Sequence, residues 1–389
     1  MTRNHASAVG ACGANSAEVA VLLWAGVAGT SFFTLAPSLI GALIDGLHLS
    51  VREVGWIASC QLAGSALGNF LTLLLGRRFS VRHTLTASLV IVGFADLATV
   101  AAHDVTALLV CRLAGGVAGG VAFSVVNAAA ARLPRAGVMF ASIAIAQMLF
   151  GALGFIGMPP LKAAFGLGGI FATLGGCALA CAVASAVCIA PAPVHGSRLR
   201  ASLSLTPHGR VLLVALFATY LTSTAVWTHL ERIGVAAHLT DGVISAGLAI
   251  GMLAGILGAV GATWLLLRAG DPYHFLIGGA TVMAVSTGLL IKASAPAAYL
   301  IALCGFNSAQ AFITPLYLAR LAAENSGDAR ILVAMLAMYL GLIGGPMLGA
   351  GLVVGLGYQE LVLVAAALFA SAAILTFSAR RSTPQMVIP

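Results

Sequence analysis

Long apolar runs recur along the chain, broken by short polar turns. They cover residues 19–44, 54–75, 84–102, 106–129, 139–158, 168–190, 211–231, 243–267, 275–293, 297–318, 331–354 and 358–378. At about 1.5 Å rise per residue, each is long enough to cross a hydrocarbon core about 30 Å thick as a helix. The pattern therefore predicts about twelve membrane-spanning helices. Composition agrees: 389 residues, 60% hydrophobic and 8% charged, with a mean hydropathy of +1.06. A chain of this kind cannot build a water-soluble surface, so it is expected to be an all-α integral membrane protein.

The net charge of +8 would suggest nucleic acid in a soluble protein, but the basic residues alternate between the two sides. If the N-terminus is inside, the inner segments hold fourteen of the nineteen, among them Arg77, Arg78, Arg82, Arg132, Arg135, Arg198 and Arg200. The outer loops hold only Arg52, Lys162, Arg232 and Lys292, and Arg112 stands within a span. This asymmetry predicts a multi-pass cell-membrane protein, with both termini cytoplasmic and no nucleic-acid partner. The first run is too long for a cleaved signal peptide and lacks a small-residue cleavage site, so the first helix is expected to stay. Six cysteines fall inside spans without a CxxC pair or metal-spaced histidines. They read as small apolar residues, and no metal site is expected.

The longest polar interruption, residues 191–210 ("PAPVHGSRLRASLSLTPHGR"), reads as a cytoplasmic linker between a half at 1–190 and a half at 211–389. A constant shift of 187 residues matches Gly55 to Gly242, Gly64 to Gly251, Gly68 to Gly255, Gly154 to Gly341 and Pro159 to Pro346. The spans then form two pseudo-symmetric sets of six, with GxxxG pairs that allow close helix approach.

Polar side chains are costly in lipid, so their spacing marks faces turned toward protein or water. The first span carries Thr30, Thr34 and Pro37, and the fourth carries Arg112, Gly116, Gly120 and Asn127. The seventh carries Tyr220, Thr224, Trp227 and Glu231, and the tenth Asn307, Gln310, Thr314 and Tyr317. Each set follows the three-to-four residue period of one helix face. Gln61, Ser65, Gly68 and Thr72 repeat the pattern in the second span, and Gln147 is a lone amide in the fifth.

The stretch "RLAGGVAGG", with Arg112 before spaced glycines, resembles the fourth-helix motif of the major facilitator superfamily of secondary transporters. The loop "GRRFSVRHTL" resembles the basic loop motif of that family, although Arg77 stands at its acidic position and Ser80 at its glycine. The stretch "GLIGGPMLGAG" resembles its glycine–proline antiporter motif. The resemblance covers essentially the whole chain. It implies a twelve-helix fold with spans 1, 4, 7 and 10 around a central cavity. The cavity residues expected from the stripes are then Thr30, Thr34, Gln61, Arg112, Asn127, Gln147, Tyr220, Thr224, Trp227, Asn307, Gln310 and Thr314.

Arg112 lies about seven residues, near 10 Å, below the outer end of its span. Asp96 lies at a similar depth in the third span, so the two can meet across antiparallel neighbours. That meeting is either a structural ion pair or part of a proton gate; Asp96, Arg112 and Glu231 are the proton-coupling candidates. No phosphate-binding loop, zinc helix or nucleophile elbow is present, so neither a cofactor, ATP nor enzyme chemistry is expected. The expected function is alternating access by a monomer in the bilayer, with proton-coupled export of a small organic or drug-like compound. Uptake of an organic anion, or a non-transporting sensor on the same fold, are the alternatives.

Overall fold

The computed structural model describes residues 16–75, 79–102, 104–133, 135–194, 206–268, 272–323 and 328–381. These form α1 (Ser16–Thr34), α2 (Ala36–Leu47), α3 (Val51–Leu75), α4 (Val81–Ala101), α5 (Val105–Ala130), α6 (Ala136–Cys188), α7 (Pro207–Trp227), α8 (Leu230–Ala236), α9 (Asp241–Leu267), α10 (Pro272–Leu289), α11 (Pro296–Ala323), α12 (Asp328–Gly355) and α13 (Tyr358–Arg381). Among the described residues, eleven helices are long and apolar enough to cross a membrane. One of them, α6, is 53 residues long and carries both the fifth and sixth spans, separated only by Gly166 at φ 64° and ψ −161°. The sequence predicts a polar turn there. A left-handed glycine does the same work with a single residue. Twelve crossings put residues 16 and 381 on the same side, here called inner.

Two predicted spans are jointed. The first breaks at Leu35 (φ −99°, ψ 9°) between α1 and α2. Pro37 follows at the start of α2 and has no N–H to continue the ladder. The seventh breaks after Trp227, and α8 carries it on to Ala236.

Lipid tails are as apolar as leucine, so helices in a bilayer are held by close packing rather than by the hydrophobic effect. The glycines provide that packing. A Cβ on Gly64 or Gly68 would strike the backbone of α5 at Leu113 and Val117, and one on Gly116 or Gly120 would strike α3 at Gln61 and Ser65. In the second half, Gly258 of α9 is pressed in the same way against the backbone of Ser308 of α11, and Gly251 lies against the Asn307 side chain and Leu303. Gly64 on Gly116 and Gly251 on Leu303 are the same contact shifted by 187 residues.

The halves α1–α6 and α7–α13 meet through α3 with α12, α6 with α9, and α2 with α8. One buried apolar cluster joins both halves, and its N-terminal members, such as Leu39, Leu43, Val54, Ile57, Phe155 and Phe171, lie in the outer part of that half. The inner ends of the same half, including Leu22, Leu85, Val126 and Met139, form a separate cluster with no member from the other half. The halves are therefore drawn together on the outer side. On the inner side, Val81 N–H donates to Ala192 O (2.7 Å) and Val194 N–H to Phe79 O (3.0 Å), which fastens the start of the linker to the loop after α3. Residues 195–205 of the linker, with the loop arginines Arg77 and Arg78, lie outside the described residues, and α7 already begins at Pro207 inside the predicted linker.

Gly68→Ala should destabilise the protein by about 1–3 kcal/mol, because the facing group is backbone and cannot rotate away. Gly176→Ala, where a Cβ meets nothing within 4 Å, should not. Thermal unfolding in detergent checks this; equal melting temperatures for the two would refute the packing argument.

Candidate functional site

Arg112 stands on α5, whose N-terminus is capped by Asp104 Oδ1 accepting from Ala107 N–H (2.9 Å). Its Nη1 donates to Asp96 Oδ1 of α4 at 2.9 Å, and its Nη2 to Ala95 O at 2.8 Å and Thr99 Oγ1 at 2.6 Å. The rings of Phe32 and Phe171 cover the guanidinium, 5.1 and 5.3 Å from its carbon. Arg112 is 1% exposed and Asp96 4%, so the two charges meet as a sealed pair between α4 and α5. Both belong to the N-terminal half, and the ring of Phe32 stands over the guanidinium. Gln61 is also buried inside that half, with its Oε1 near Gly115 in the α3–α5 seam.

The groups between the halves are different in kind. Pro37 leaves the carbonyl of Phe33, four residues earlier, without its helical donor. Trp227 Nε1 of the other half supplies one at 3.0 Å, while its ring packs edge-on against Phe155 at 6.1 Å. Further inward, Asn69 Nδ2 of α3 donates to Tyr339 Oη of α12 at 2.6 Å. Ser124 Oγ of α5 donates to Asn69 Oδ1. Within the second half, the Tyr220 hydroxyl of α7 is 2.9 Å from Thr314 Oγ1 of α11. Ser124, Asn69 and Tyr339 thus make one polar chain from α5 through α3 to α12 of the other half, and Tyr220 with Thr314 makes a second link inside that half.

Other predicted residues sit beside it. Gln147 Nε2 donates to Thr30 Oγ1 (2.7 Å) within the first half. Asn127 and Asn307 are half-buried and donate to Phe123 O (2.8 Å) and Leu303 O (3.0 Å) of their own helices. Gln310 keeps a buried Oε1 without a hydrogen-bond partner. Thr34 and Thr224 are buried and bond to carbonyls within their halves. Asn69, Ser124 and Tyr339 are absent from the sequence-derived set, although Asn69 lies four residues beyond Ser65 on the second-span stripe and so was findable. Tyr339 is a single polar residue in an apolar span, and no spacing marks it.

At the outer rim, Arg232 of α8 makes two forked contacts. Nη1 and Nη2 donate to Oδ1 and Oδ2 of Asp45, both at 2.9 Å, and Nη2 and Nε donate to the carboxylate of Glu231. Lys162 Nζ donates to the same Asp45 Oδ2 at 2.6 Å. Gly41 makes room for Glu231, since a Cβ there would overlap the carboxylate. Burial alone would raise the Asp45 carboxyl, but hydrogen bonds and charge from Arg232 and Lys162 outweigh it and hold it below its usual range. Arg232–Asp45 is the one ion pair across the halves among the described residues.

A family model described as Major Facilitator Superfamily matches residues 21–338. Among solved structures, the nucleoside transporter NupG (D323A mutant) is similar at a TM-score of 0.73 and 11% identity, covering 94% of this chain and 98% of that one. A bacterial homolog of the human lysosomal transporter Spinster, inward-facing and unoccupied, gives 0.70 at 12% identity, covering 94% and 96%. The human organic anion transporter MFSD10 (TETRAN) gives 0.64 at 17%, covering 92% and 99%. No curated protein matches the sequence.

Breaking a buried ion pair costs about 3–5 kcal/mol, because it leaves an uncompensated charge. Arg112→Ala should therefore lower the melting temperature sharply, and Arg112→Ala with Asp96→Ala should recover part of the loss. No recovery in the double variant would mean that the pair is not what holds this region. Trp227→Phe keeps the apolar ring but removes the donor to Phe33 O, so it should loosen outer closure with little change in melting temperature. Labelling of a buried outer cysteine by an impermeant maleimide measures it.

Proposed function

Since the chain belongs to the Major Facilitator Superfamily, whose members are carriers rather than enzymes, we propose that this transporter works by alternating access as a proton-coupled exporter of a small organic compound. The observation that carries the reading is the division of contacts between the halves. The outer ends share one apolar cluster, the inner ends do not, and inward of mid-depth the halves meet through uncharged polar groups, Asn69 on Tyr339. This is the arrangement expected of a carrier closed outside, with its substrate contacts facing inward.

The polar chain between the halves consists of amides, hydroxyls and phenols, and the buried charges are sealed away from it. Such a lining suits an uncharged compound with several hydrogen-bonding groups better than an organic anion, which would need a cation at the site. Asn69, Gln147, Asn307, Gln310 and Tyr339 are the proposed contacts. The proton site is proposed at Asp96, because among the described acidic residues it alone lies more than one turn inside its helix, within the hydrocarbon depth. Its charge is balanced by Arg112, so a proton arriving on Asp96 frees the guanidinium, and the exchange between these two states is the coupling step. The termini are placed in the cytoplasm and the chain in the cell membrane as a monomer.

Purified protein in liposomes, with uridine as an uncharged probe and benzoate as an anionic one, tests the reading. Uridine should show counterflow and should accumulate against its gradient when a pH difference is imposed. Asp96→Asn should keep the counterflow and lose the pH-driven accumulation. Asn69→Ala or Gln310→Ala should raise the half-saturating concentration about fivefold, which corresponds to about 1 kcal/mol for one hydrogen bond. Counterflow without any response to pH would remove the coupling proposal, and transport of benzoate alone would reverse the substrate assignment.

A further inference from the structure

The outer charge cluster holds two cations and two carboxylates, and each half contributes one of each. Asp45 and Lys162 belong to the first half, Glu231 and Arg232 to the second. Beside them is a cavity of about 190 Å³ between the halves, lined also by Ser38, Met158 and Asp241. Asp45 Oδ2 is shared, at 2.6 Å with Lys162 of its own half and at 2.9 Å with Arg232 of the other. Arg232 is shared likewise between Asp45 and Glu231.

We propose that these four side chains are the outer gate and that it opens by partner exchange: the Asp45–Arg232 bond breaks, Asp45 keeps Lys162, and Arg232 keeps Glu231. Neither half is then left with an unpaired charge, so opening loses one cross-half contact without stranding an ion. Lys162 and Glu231 act as positioning residues for the transport cycle, since each holds a charge that the parting halves would otherwise abandon.

The signs follow from Coulomb's law applied across the interface. Asp45–Arg232 attracts and closes the gate. Lys162 and Arg232 both donate to one carboxylate oxygen, so these like charges are close neighbours and their repulsion favours opening. Asp45 and Glu231 grip the same guanidinium, and their repulsion acts in the same direction. Lys162 and Glu231 attract across the interface, but Glu231 is bound to Arg232 and is not bonded to Lys162, so this term is the weaker. Asp45→Asn and Arg232→Gln should therefore open the outer side, whereas Lys162→Met and Glu231→Gln should close it. A gate of ordinary structural ion pairs predicts the same direction for all four.

The test uses the full chain carrying Thr34→Cys, a buried position inward of the cluster. Its labelling by an impermeant maleimide from outside is measured above that of the same variant without the new cysteine. Asp45→Asn and Arg232→Gln should raise the rate by up to about fivefold, the size of one partly exposed ion pair, and Lys162→Met and Glu231→Gln should lower it. Lys162→Arg should restore the parent rate, and melting temperatures identify any variant that merely fails to fold. A common direction in all four, or faster labelling with Lys162→Met, overturns partner exchange. The inference rests on the alternating-access reading, but the two fail separately. Absence of counterflow in the parent protein counts against transport, whereas a wrong sign pattern with intact counterflow counts only against this gate.

Discussion

Backbone lying against backbone is the contact on which the molecule depends. Between α3 and α5 the glycines at 64, 68, 116 and 120 bring the two backbones into contact, and Gly258 does the same between α9 and α11. In lipid this closeness supplies the dispersion that burial from water would supply elsewhere. It also fixes the register of α5 on α3, and this decides where everything else on α5 must go. Arg112 can be enclosed because Gly115 and Gly116 leave space on its helix for neighbours to close in, with Ala95 in contact range of Gly115.

The charges divide into two populations with different physics. Arg112 and Asp96 are out of water altogether, and their pairing is favoured because either charge alone is costly there. The outer four are partly wet: Asp45 and Lys162 are about 40% exposed on their side chains and Arg232 11%. Individual contacts among them are worth little, as expected of solvated ion pairs. They can therefore separate and re-form, which the buried pair cannot do without a proton. A moving gate and a fixed pair thus come from the same residue types placed in different dielectric surroundings.

The twelve crossings were legible in the sequence because apolar length and the alternation of arginines are properties of the chain itself. The meeting of Arg112 and Asp96 was legible for a similar reason, since a short connection between antiparallel helices leaves two charges at one depth few other partners. Facing was harder to read. Helical spacing puts Gln61 and Thr224 on polar stripes, but a stripe turned toward a sister helix and a stripe turned toward the other half have the same period. Tyr339 was invisible because one hydroxyl in an apolar span carries no periodicity at all. The joint at Gly166 was hidden as well, since one glycine among 46 is distinguished only by the conformation it adopts.

The proline of the first span sets a condition on the solvent. By leaving Phe33 O without a donor from its own helix, Pro37 makes that carbonyl an acceptor that the Trp227 indole satisfies only while the outer ends stay together. When they part, the carbonyl cannot remain bare at that depth, and a water molecule must take the place of the indole. Hydration is therefore a stoichiometric participant in outer opening, and one hydrogen bond to protein is exchanged for one of nearly equal strength to solvent. A carrier built this way should respond to agents that lower water activity, such as an impermeant polyol on the outer side, by resting longer in the state where the tryptophan does the water's work.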